Sequence, residues 1–299
     1  MSLTSLVAMP DVVAKIKPLR PKVQKHGVSL KVEPRSKRYA LIGTAFDYLL
    51  RFELQRRVPD VVVKRWVAEE APDIIHPEYG STVDPLDLLV GVPPEQYIPP
   101  SEVAERMRVL LQNAHSAVGE YRNAARPTAT QQAELAAHAI RLSKLDSVYR
   151  AEKLEPTFEE AKAEDVQELV ELLAIVPYDT FVTAKTLLLN PTFGEASALV
   201  GGADADVIAD DVLVDLKTTK SDTIEGKHLD QLFGYFLLAR RHRSAKPTFP
   251  AIHRVGLYFS RHGHLWTQDT TVWTSHPEFA VVEQWFFKRA GEVFKHAKA

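Results

Sequence analysis

Two apolar runs flank Asp210-Asp211, and this pair of residues is typical of a tight turn. Val207-Ile208-Ala209 comes before it and Val212-Leu213-Val214 comes after it. Runs of β-branched and aliphatic residues on either side of two turn-forming residues predict an antiparallel β-hairpin. In that register Asp206 lies directly opposite Asp215 on the neighbouring strand. The segment therefore predicts a sheet with two facing carboxylates, and Asp210 and Asp211 are interpreted as turn residues only.

Lys217 follows Asp215 by two residues, so both side chains are expected on the same face of their strand. In this register Asp204 is the cross-strand neighbour of Lys217. Opposed carboxylates destabilise a sheet unless something compensates their charge. A divalent cation would compensate it, and oxygen ligands suit Mg²⁺ or Mn²⁺. The sequence therefore predicts a metal site at this hairpin.

The alternative interpretation is that these charges lie on the surface. Asp204 and Asp206 would then mark an exposed strand end, and Asp215 would form a solvent-facing pair with Lys217. Apolar residues surround Asp215 on both faces of its strand, namely Leu213, Val214 and Leu216. Such a run is typical of an inner strand, where an uncompensated charge is costly. We therefore interpret the acidic residues as a site.

Hydrophobic periodicity divides the chain into helical and extended regions. Helices are predicted over 36–57, 101–122, 129–153, 157–175, 228–242 and 277–298. Strands are predicted over 181–192, 195–208, 212–218, 254–259 and 264–267, with loops over 72–100. We assign an irregular N-terminal arm to 1–35, a first core helix to 36–57, a helical insertion to 58–177 and a core with the sheet to 178–299. This order predicts an α/β (α+β) fold with helices packed on a sheet.

The composition excludes several kinds of site. Cysteine is absent, which excludes disulfides, thiolate zinc sites and cysteine nucleophiles. The formal net charge is −2, so contact with a nucleic acid would depend on a local basic patch. No apolar run approaches the roughly 18 residues that span a bilayer, and no phosphate-binding glycine loop is present. We therefore expect a cytoplasmic protein without membrane contact and without an internal motor.

The acidic segment resembles two motifs of the RecB-like PD-(D/E)XK nucleases, Gly-x-x-Asp followed by Asp-x-Lys-Thr. Gly201-Gly202-Ala203-Asp204 and Asp215-Leu216-Lys217-Thr218 fit these motifs. Gln231-Leu232-Phe233-Gly234-Tyr235 resembles the family's Gln-x-x-x-Tyr motif on a following helix. Gly43-Thr44-Ala45-Phe46-Asp47 resembles its first-helix motif, with Asp47 where the family more often has His. The resemblance covers roughly 39–57 and 197–259 and leaves the helical middle outside it.

The resemblance implies a restriction-endonuclease-like αβββαβ core with a mainly helical insertion. It also implies that Asp206, Asp215 and the backbone carbonyl of Leu216 bind Mg²⁺ or Mn²⁺, with Asp47 completing the metal site. Asp204 is the alternative to Asp206. Asp204 has the spacing of the glycine motif, whereas Asp206 lies opposite Asp215.

The remaining motif residues are implied to act on the DNA. Lys217 would orient the attacking water and stabilise the developing charge. Gln231 and Tyr235 are spaced by four, which places them on one face of a helix, and they would position the strand. The catalytic set implied by the resemblance is Asp206, Asp215, Lys217, Gln231 and Tyr235.

A basic cluster ends the same predicted helix. Arg240, Arg241 and Arg243, together with Lys220, are candidates for contact with the DNA backbone. Compensation of the helix dipole is the alternative role of the arginines. The resemblance favours an exonuclease-like deoxyribonuclease of repair, recombination or defence, acting on single- or double-stranded DNA with a helicase or another complex subunit as partner. The alternatives are a catalytically silent module that binds nucleic acid or a partner protein, and a metal-stabilised scaffold.

Overall fold

The computed structural model describes residues 2–23, 27–61, 65–75 and 99–295. The chain divides into two compact units. Unit 1 consists of Met1–Leu30, Pro177–Lys217 and Ser221–Ala299, and unit 2 consists of Lys31–Val176 with Thr218–Lys220. Most of the loop predicted over 72–100 lies outside the described residues.

Helices and a five-stranded mixed sheet make up the described part of the chain, as the predicted α/β class requires. The helices are α1 (Leu3–Val7), α2 (Pro10–Ile16), α3 (Tyr39–Arg57), α4 (Ala71–Ile75), α5 (Pro100–Asn123), α6 (Ala129–Ala151), α7 (Ala163–Ala174), α8 (Asp179–Val182), α9 (Glu195–Ala198), α10 (Gly226–Ala245), α11 (Thr271–Thr274) and α12 (Phe279–Lys295). The strands are β1 (Leu187–Leu189), β2 (Val207–Ala209), β3 (Val212–Lys217), β4 (Arg254–Phe259) and β5 (His264–Asp269). Within the described residues, no helix is long and apolar enough to cross a membrane.

Unit 2 is helical and is built around α3. Helix α3 corresponds to the helix predicted over 36–57 and carries apolar residues at helical spacing. Ile42, Phe46, Leu49 and Phe52 are almost completely buried. The helix packs against α5, α6 and α7. The predicted first core helix therefore has its packing partners in the helical unit.

Helix α7 begins later than the sequence predicted. A capping pattern at Thr157 predicted a helix over 157–175, whereas α7 spans Ala163–Ala174. The ammonium of Lys144, a residue that is 3% exposed, donates to the carbonyls of Thr157 at 2.7 Å and Glu160 at 3.1 Å. Because a buried lysine uses these carbonyls, the stretch forms turns in place of the first helical turns.

The sheet of unit 1 has the order β1-β2-β3-β4-β5, with β3 in the middle. The β1–β2, β2–β3 and β4–β5 pairs are antiparallel, and β3 pairs with β4 in parallel. Helix α10 lies in the crossover that a parallel pair requires. The β2–β3 hairpin pairs Val207 with Val214, as the two-residue turn predicted. Asp210 has a left-handed φ of 53°, and its carboxylate accepts two backbone N–H groups, which agrees with a turn role.

Most of the stretch predicted as the first two strands is not extended. Strands were expected over 181–192 and 195–208, but β1 and β2 have three residues each, and α8 and α9 occupy part of the stretch. The Ser197 hydroxyl accepts the Phe193 N–H at 2.8 Å and donates to the Ala203 carbonyl at 2.7 Å. Gly194 has a left-handed φ of 54°. Local hydrogen bonds and turns therefore replace the ladder that the alternation predicted.

The N-terminal segment (residues 3–19) is structured, contrary to the predicted irregular arm. Leu3, Val12 and Ile16 belong to the core of unit 1, and none is more than 2% exposed. Helix α1 packs against α10. A Cβ on Gly234 of α10 would lie 2.9 Å from Leu3 Cδ1 and 3.2 Å from Val7 Cγ1. The missing side chain at Gly234 therefore allows the N-terminal segment to dock on α10.

We expect Gly234→Val to destabilise unit 1 by about 1–3 kcal/mol, because the added methyl groups would overlap Leu3 and Val7 in a packed contact. Gly119 in α5 is the matched control, since nothing lies within 4 Å of a Cβ placed there. Gly119→Val should not destabilise the protein, because valine has the higher helix propensity. Urea unfolding of both variants measures the difference. Equal stability of Gly234→Val and the wild type would contradict this packing.

Candidate active site

Strand β3 carries Asp215 and Lys217 on one face of the sheet, as their spacing predicted. Lys217 Nζ lies 2.6 Å from Asp215 Oδ2. Asp215 is 4% exposed, and β3 is the central strand of the sheet. The two residues therefore form an interior ion pair and not a solvent-facing one.

The surroundings of Asp215 disfavour its charged form. Burial raises the pKa of Asp215, and the Lys217 ammonium acts in the opposite direction. Leu213, two residues earlier on the strand, is completely buried. A negative charge in such a setting is costly unless cations or hydrogen-bond donors surround it. A further cation beside Asp215 would therefore be held more strongly than at the protein surface.

Asp206 precedes β2 and reaches β3 with its side chain. Asp206 Oδ2 accepts the backbone N–H of Leu216 at 2.6 Å. Leu216 lies between Asp215 and Lys217 in the chain, so the carboxylate of Asp206 is brought to the strand that carries both. The predicted neighbourhood is therefore present, because Asp206 directly precedes the Val207–Val214 pair and its carboxylate binds the backbone of the residue after Asp215.

The prediction that Asp204 is the cross-strand neighbour of Lys217 stays a prediction. Asp204 forms an isolated bridge with Thr192, and the Ala205 N–H donates to the Pro191 carbonyl at 3.1 Å. The residues before Val207 thus continue the antiparallel pairing of β2 with β1 in the same register. The charge of Asp204 still acts on Tyr235, whose pKa it helps to raise.

Helix α10 brings Gln231 and Tyr235 to the ion pair. Lys217 Nζ donates to Gln231 Oε1 at 3.0 Å, and Gln231 Nε2 donates to the Tyr235 hydroxyl at 3.3 Å. Both residues share one helical face, as predicted. Burial, followed by the charges of Asp215 and Asp206, raises the pKa of Tyr235 well above its usual value. The phenol is therefore un-ionised at neutral pH and lies close to both carboxylates.

An ion pair between Arg20 and a buried carboxylate fixes α10 next to these residues. Arg20 Nε donates to Asp230 Oδ1 at 2.7 Å, and Arg20 Nη2 donates to Asp230 Oδ2 at 2.5 Å. The Asp230 side chain is 1% exposed. The interaction holds the residue directly before Gln231, and sequence reasoning missed it. The local signal was an acidic residue between Leu229 and Leu232 in the predicted helix.

The predicted DNA-contact residues all have partners within the protein. Arg240 Nε donates to Glu283 Oε1 at 3.0 Å, Arg241 stacks over the Phe287 ring at 4.6 Å, and Arg243 donates to the Phe249 carbonyl. Arg240, Arg241 and Arg243 also line an open cavity of about 1350 Å³ with Glu195 and Glu283. The cluster is thus less positive than its sequence suggests.

Two predicted site residues belong to unit 2. Lys220 Nζ forms an exposed ion pair with Glu33 at 3.0 Å. Asp47 lies on α3, where its carboxylate is 2.5 Å from Arg51 Nη2. The guanidinium of Arg51 in turn stacks over the Tyr48 ring at 4.5 Å. The assignment of Asp47 to a metal site stays a prediction.

The donor atoms near Asp215 suit a hard cation. Among the described residues, no group of three His, Cys, Asp or Glu side chains could hold a metal ion. The proposed site requires only two carboxylates, those of Asp206 and Asp215, together with the Leu216 carbonyl. Oxygen donors of this type are the ligands that Mg²⁺ and Mn²⁺ prefer. Asp215 Oδ2 is buried and meets Lys217 as an ion pair without hydrogen-bond geometry. This buried oxygen is compatible with a cation as a further partner.

Comparison of the chain with protein-family models, with curated proteins and with solved structures found no match. The interpretation of the site therefore depends on its own geometry and on the motifs described above.

Proposed function

We propose that this chain is a metal-dependent nuclease of the PD-(D/E)XK type that hydrolyses phosphodiester bonds in DNA. The observation that carries the proposal is the pairing of the buried Asp215 with the partly buried Lys217 on the central strand, linked through Gln231 to Tyr235. A buried ion pair contributes little net stability, whereas perturbed ionisable groups are concentrated at functional sites. The order β1-β2-β3-α10-β4 supports the strand and helix order of a restriction-endonuclease-like core.

The residues around β3 have distinct roles in this proposal. Asp206, Asp215 and the Leu216 carbonyl would hold Mg²⁺ or Mn²⁺, which when bound would supply a Lewis acid that activates water. The Lys217 ammonium, held by Gln231, stabilises negative charge that develops on a phosphate oxygen. The un-ionised phenol of Tyr235 offers a hydrogen bond to the substrate without adding a negative charge.

DNA is the proposed substrate because α10 leads from these residues to the basic cavity. The exposed guanidinium of Arg241 stacks on Phe287 through its face. Stacking of this kind leaves the N–H edge of a guanidinium available for a phosphate. A backbone contact at this end of α10 would fix the strand relative to Gln231 and Tyr235 without reading its sequence.

A catalytically silent nuclease-like module that binds nucleic acid or a partner protein is the second candidate. This candidate is favoured because both carboxylates already have partners within the protein. Asp206 accepts the Leu216 N–H, and Asp215 is paired with Lys217. Such a module would bind DNA with or without a metal and would not cut it.

The test of the proposal is cleavage of labelled DNA, linear and circular, single- and double-stranded, with Mg²⁺, Mn²⁺ or EDTA. We expect cutting that requires the metal and that falls at least about 10²-fold in Asp206→Asn, since Asn keeps an acceptor for the Leu216 N–H but removes the charge that would hold the metal. Asp211→Asn is the matched control, because Asp211 lies in the same hairpin and pairs with Arg254. Absence of cutting in every condition, or cutting that survives EDTA, would contradict the proposal.

A further inference from the structure

His228 lies on the same face of α10 as the two motif residues. It precedes Gln231 by three residues and Tyr235 by seven, and both spacings bring side chains together on one helical face. His228 is 6% exposed. The resemblance to the nuclease motifs does not include this residue.

The hydrogen bonding of His228 sets which nitrogen carries the proton. The Glu225 N–H donates to His228 Nδ1 at 3.2 Å. A neutral imidazole that accepts at Nδ1 carries its proton on Nε2. Burial, followed by the charge of Lys217, lowers the pKa of His228 to about 4. At neutral pH the ring is therefore an uncharged donor that lies within the influence of the Lys217 ammonium.

We propose that His228 is a further substrate-binding residue of this site, and that its Nε2–H donates a hydrogen bond to a DNA phosphate held beside Lys217. The inference rests on the proposed nuclease function. A phosphate has several acceptor oxygens, so one group can take both a charged and an uncharged donor. An uncharged donor next to Lys217 adds a contact without the repulsion that a second cation would bring.

A purely structural role of His228 would use only the Nδ1 edge of the ring. The interaction with the Glu225 N–H caps α10 and needs an acceptor at the Nδ1 position. It makes no use of the Nε2–H. The two edges of the ring therefore correspond to two roles that substitutions can separate.

Two amide substitutions separate these roles. His228→Asn keeps an acceptor near the Nδ1 position and loses the Nε2 donor, whereas His228→Gln keeps a donor near Nε2 and loses the capping acceptor. We expect His228→Asn to lower kcat/KM for DNA cleavage about tenfold or more, mainly through KM, with little change in Tm. His228→Gln should retain more activity than His228→Asn and should have the lower Tm.

DNA binding in EDTA, measured with a labelled single strand, keeps this inference separate from the nuclease proposal. Weaker binding by His228→Asn than by His228→Gln supports the phosphate contact even if no cleavage is found. The inference is overturned if His228→Asn binds and cuts like the wild type while only His228→Gln is impaired, since that result identifies a capping residue alone. In that case cleavage by the wild type would leave the nuclease proposal intact.

Discussion

Lys217→Met is expected to lower metal-dependent DNA cleavage by at least about 10²–10³-fold, the loss typical for removal of one group that stabilises a developing charge. Methionine keeps much of the apolar length of the side chain and removes the ammonium that contacts Asp215 and Gln231. Initial rates on the preferred DNA substrate at saturating Mg²⁺ measure the effect. Cleavage at the wild-type rate would exclude Lys217 from the mechanism.

The same substitution leaves Asp215 buried without its cation, so loss of folding has to be separated from loss of chemistry. Breaking a buried pair by removing one partner destabilises a protein by about 3–5 kcal/mol. Lys217→Met combined with Asp215→Asn removes both charges. We expect the double variant to recover most of the stability and none of the activity. Recovery of cleavage together with stability would show that neither side chain takes part in catalysis.

Arg20→Leu is expected to destabilise the protein by about 3–5 kcal/mol, because it leaves the carboxylate of Asp230 buried and unpaired in α10. Urea unfolding followed by tryptophan fluorescence reports on this change. Trp266, Trp273 and Trp285 lie in unit 1, whereas Trp66 lies in unit 2. Arg20→Leu combined with Asp230→Leu removes both charges and should restore most of the lost stability.

Arg289 provides a matched control for this prediction. Its guanidinium pairs with Asp11 of α2 at 2.7 Å, and both side chains are partly exposed, at 32% and 46%. An exposed pair of this kind contributes about 0–1 kcal/mol, so Arg289→Leu should change the stability little. Similar losses in Arg20→Leu and Arg289→Leu would mean that burial of Asp230 does not determine the effect.

The features that the sequence predicted correctly depend on short separations along the chain. The Asp210-Asp211 turn fixed the β2–β3 register, and alternation placed Asp215 and Lys217 on one face of β3. Helical period brought Gln231 and Tyr235 together. In each case the two residues belong to one element or to adjacent elements, so local geometry is sufficient.

The features that the sequence did not predict depend on contacts that periodicity does not contain. Extended chain was expected over 195–208, but hydrogen bonds of the Ser197 side chain replace the first part of that strand by a helical turn and a loop. The charges of Arg240 and Arg243 were visible in the sequence, whereas their internal partners were not. Glu283, the partner of Arg240, follows it by 43 residues. Tertiary contacts of this kind decide which charges remain available to a ligand.

The docking of the N-terminal segment on α10 sets an order for the formation of unit 1 during synthesis. Arg20 and Asp230 are separated by 210 residues, so Arg20 and the apolar side chains of α1 gain their partners on α10 only after that helix has been made. At about 5–20 residues per second, ribosomes need about 10–40 s for that interval. Residues Lys31–Val176 of unit 2 emerge meanwhile and can begin to fold. The N-terminal segment is then made before the rest of unit 1 but is among its last parts to be buried.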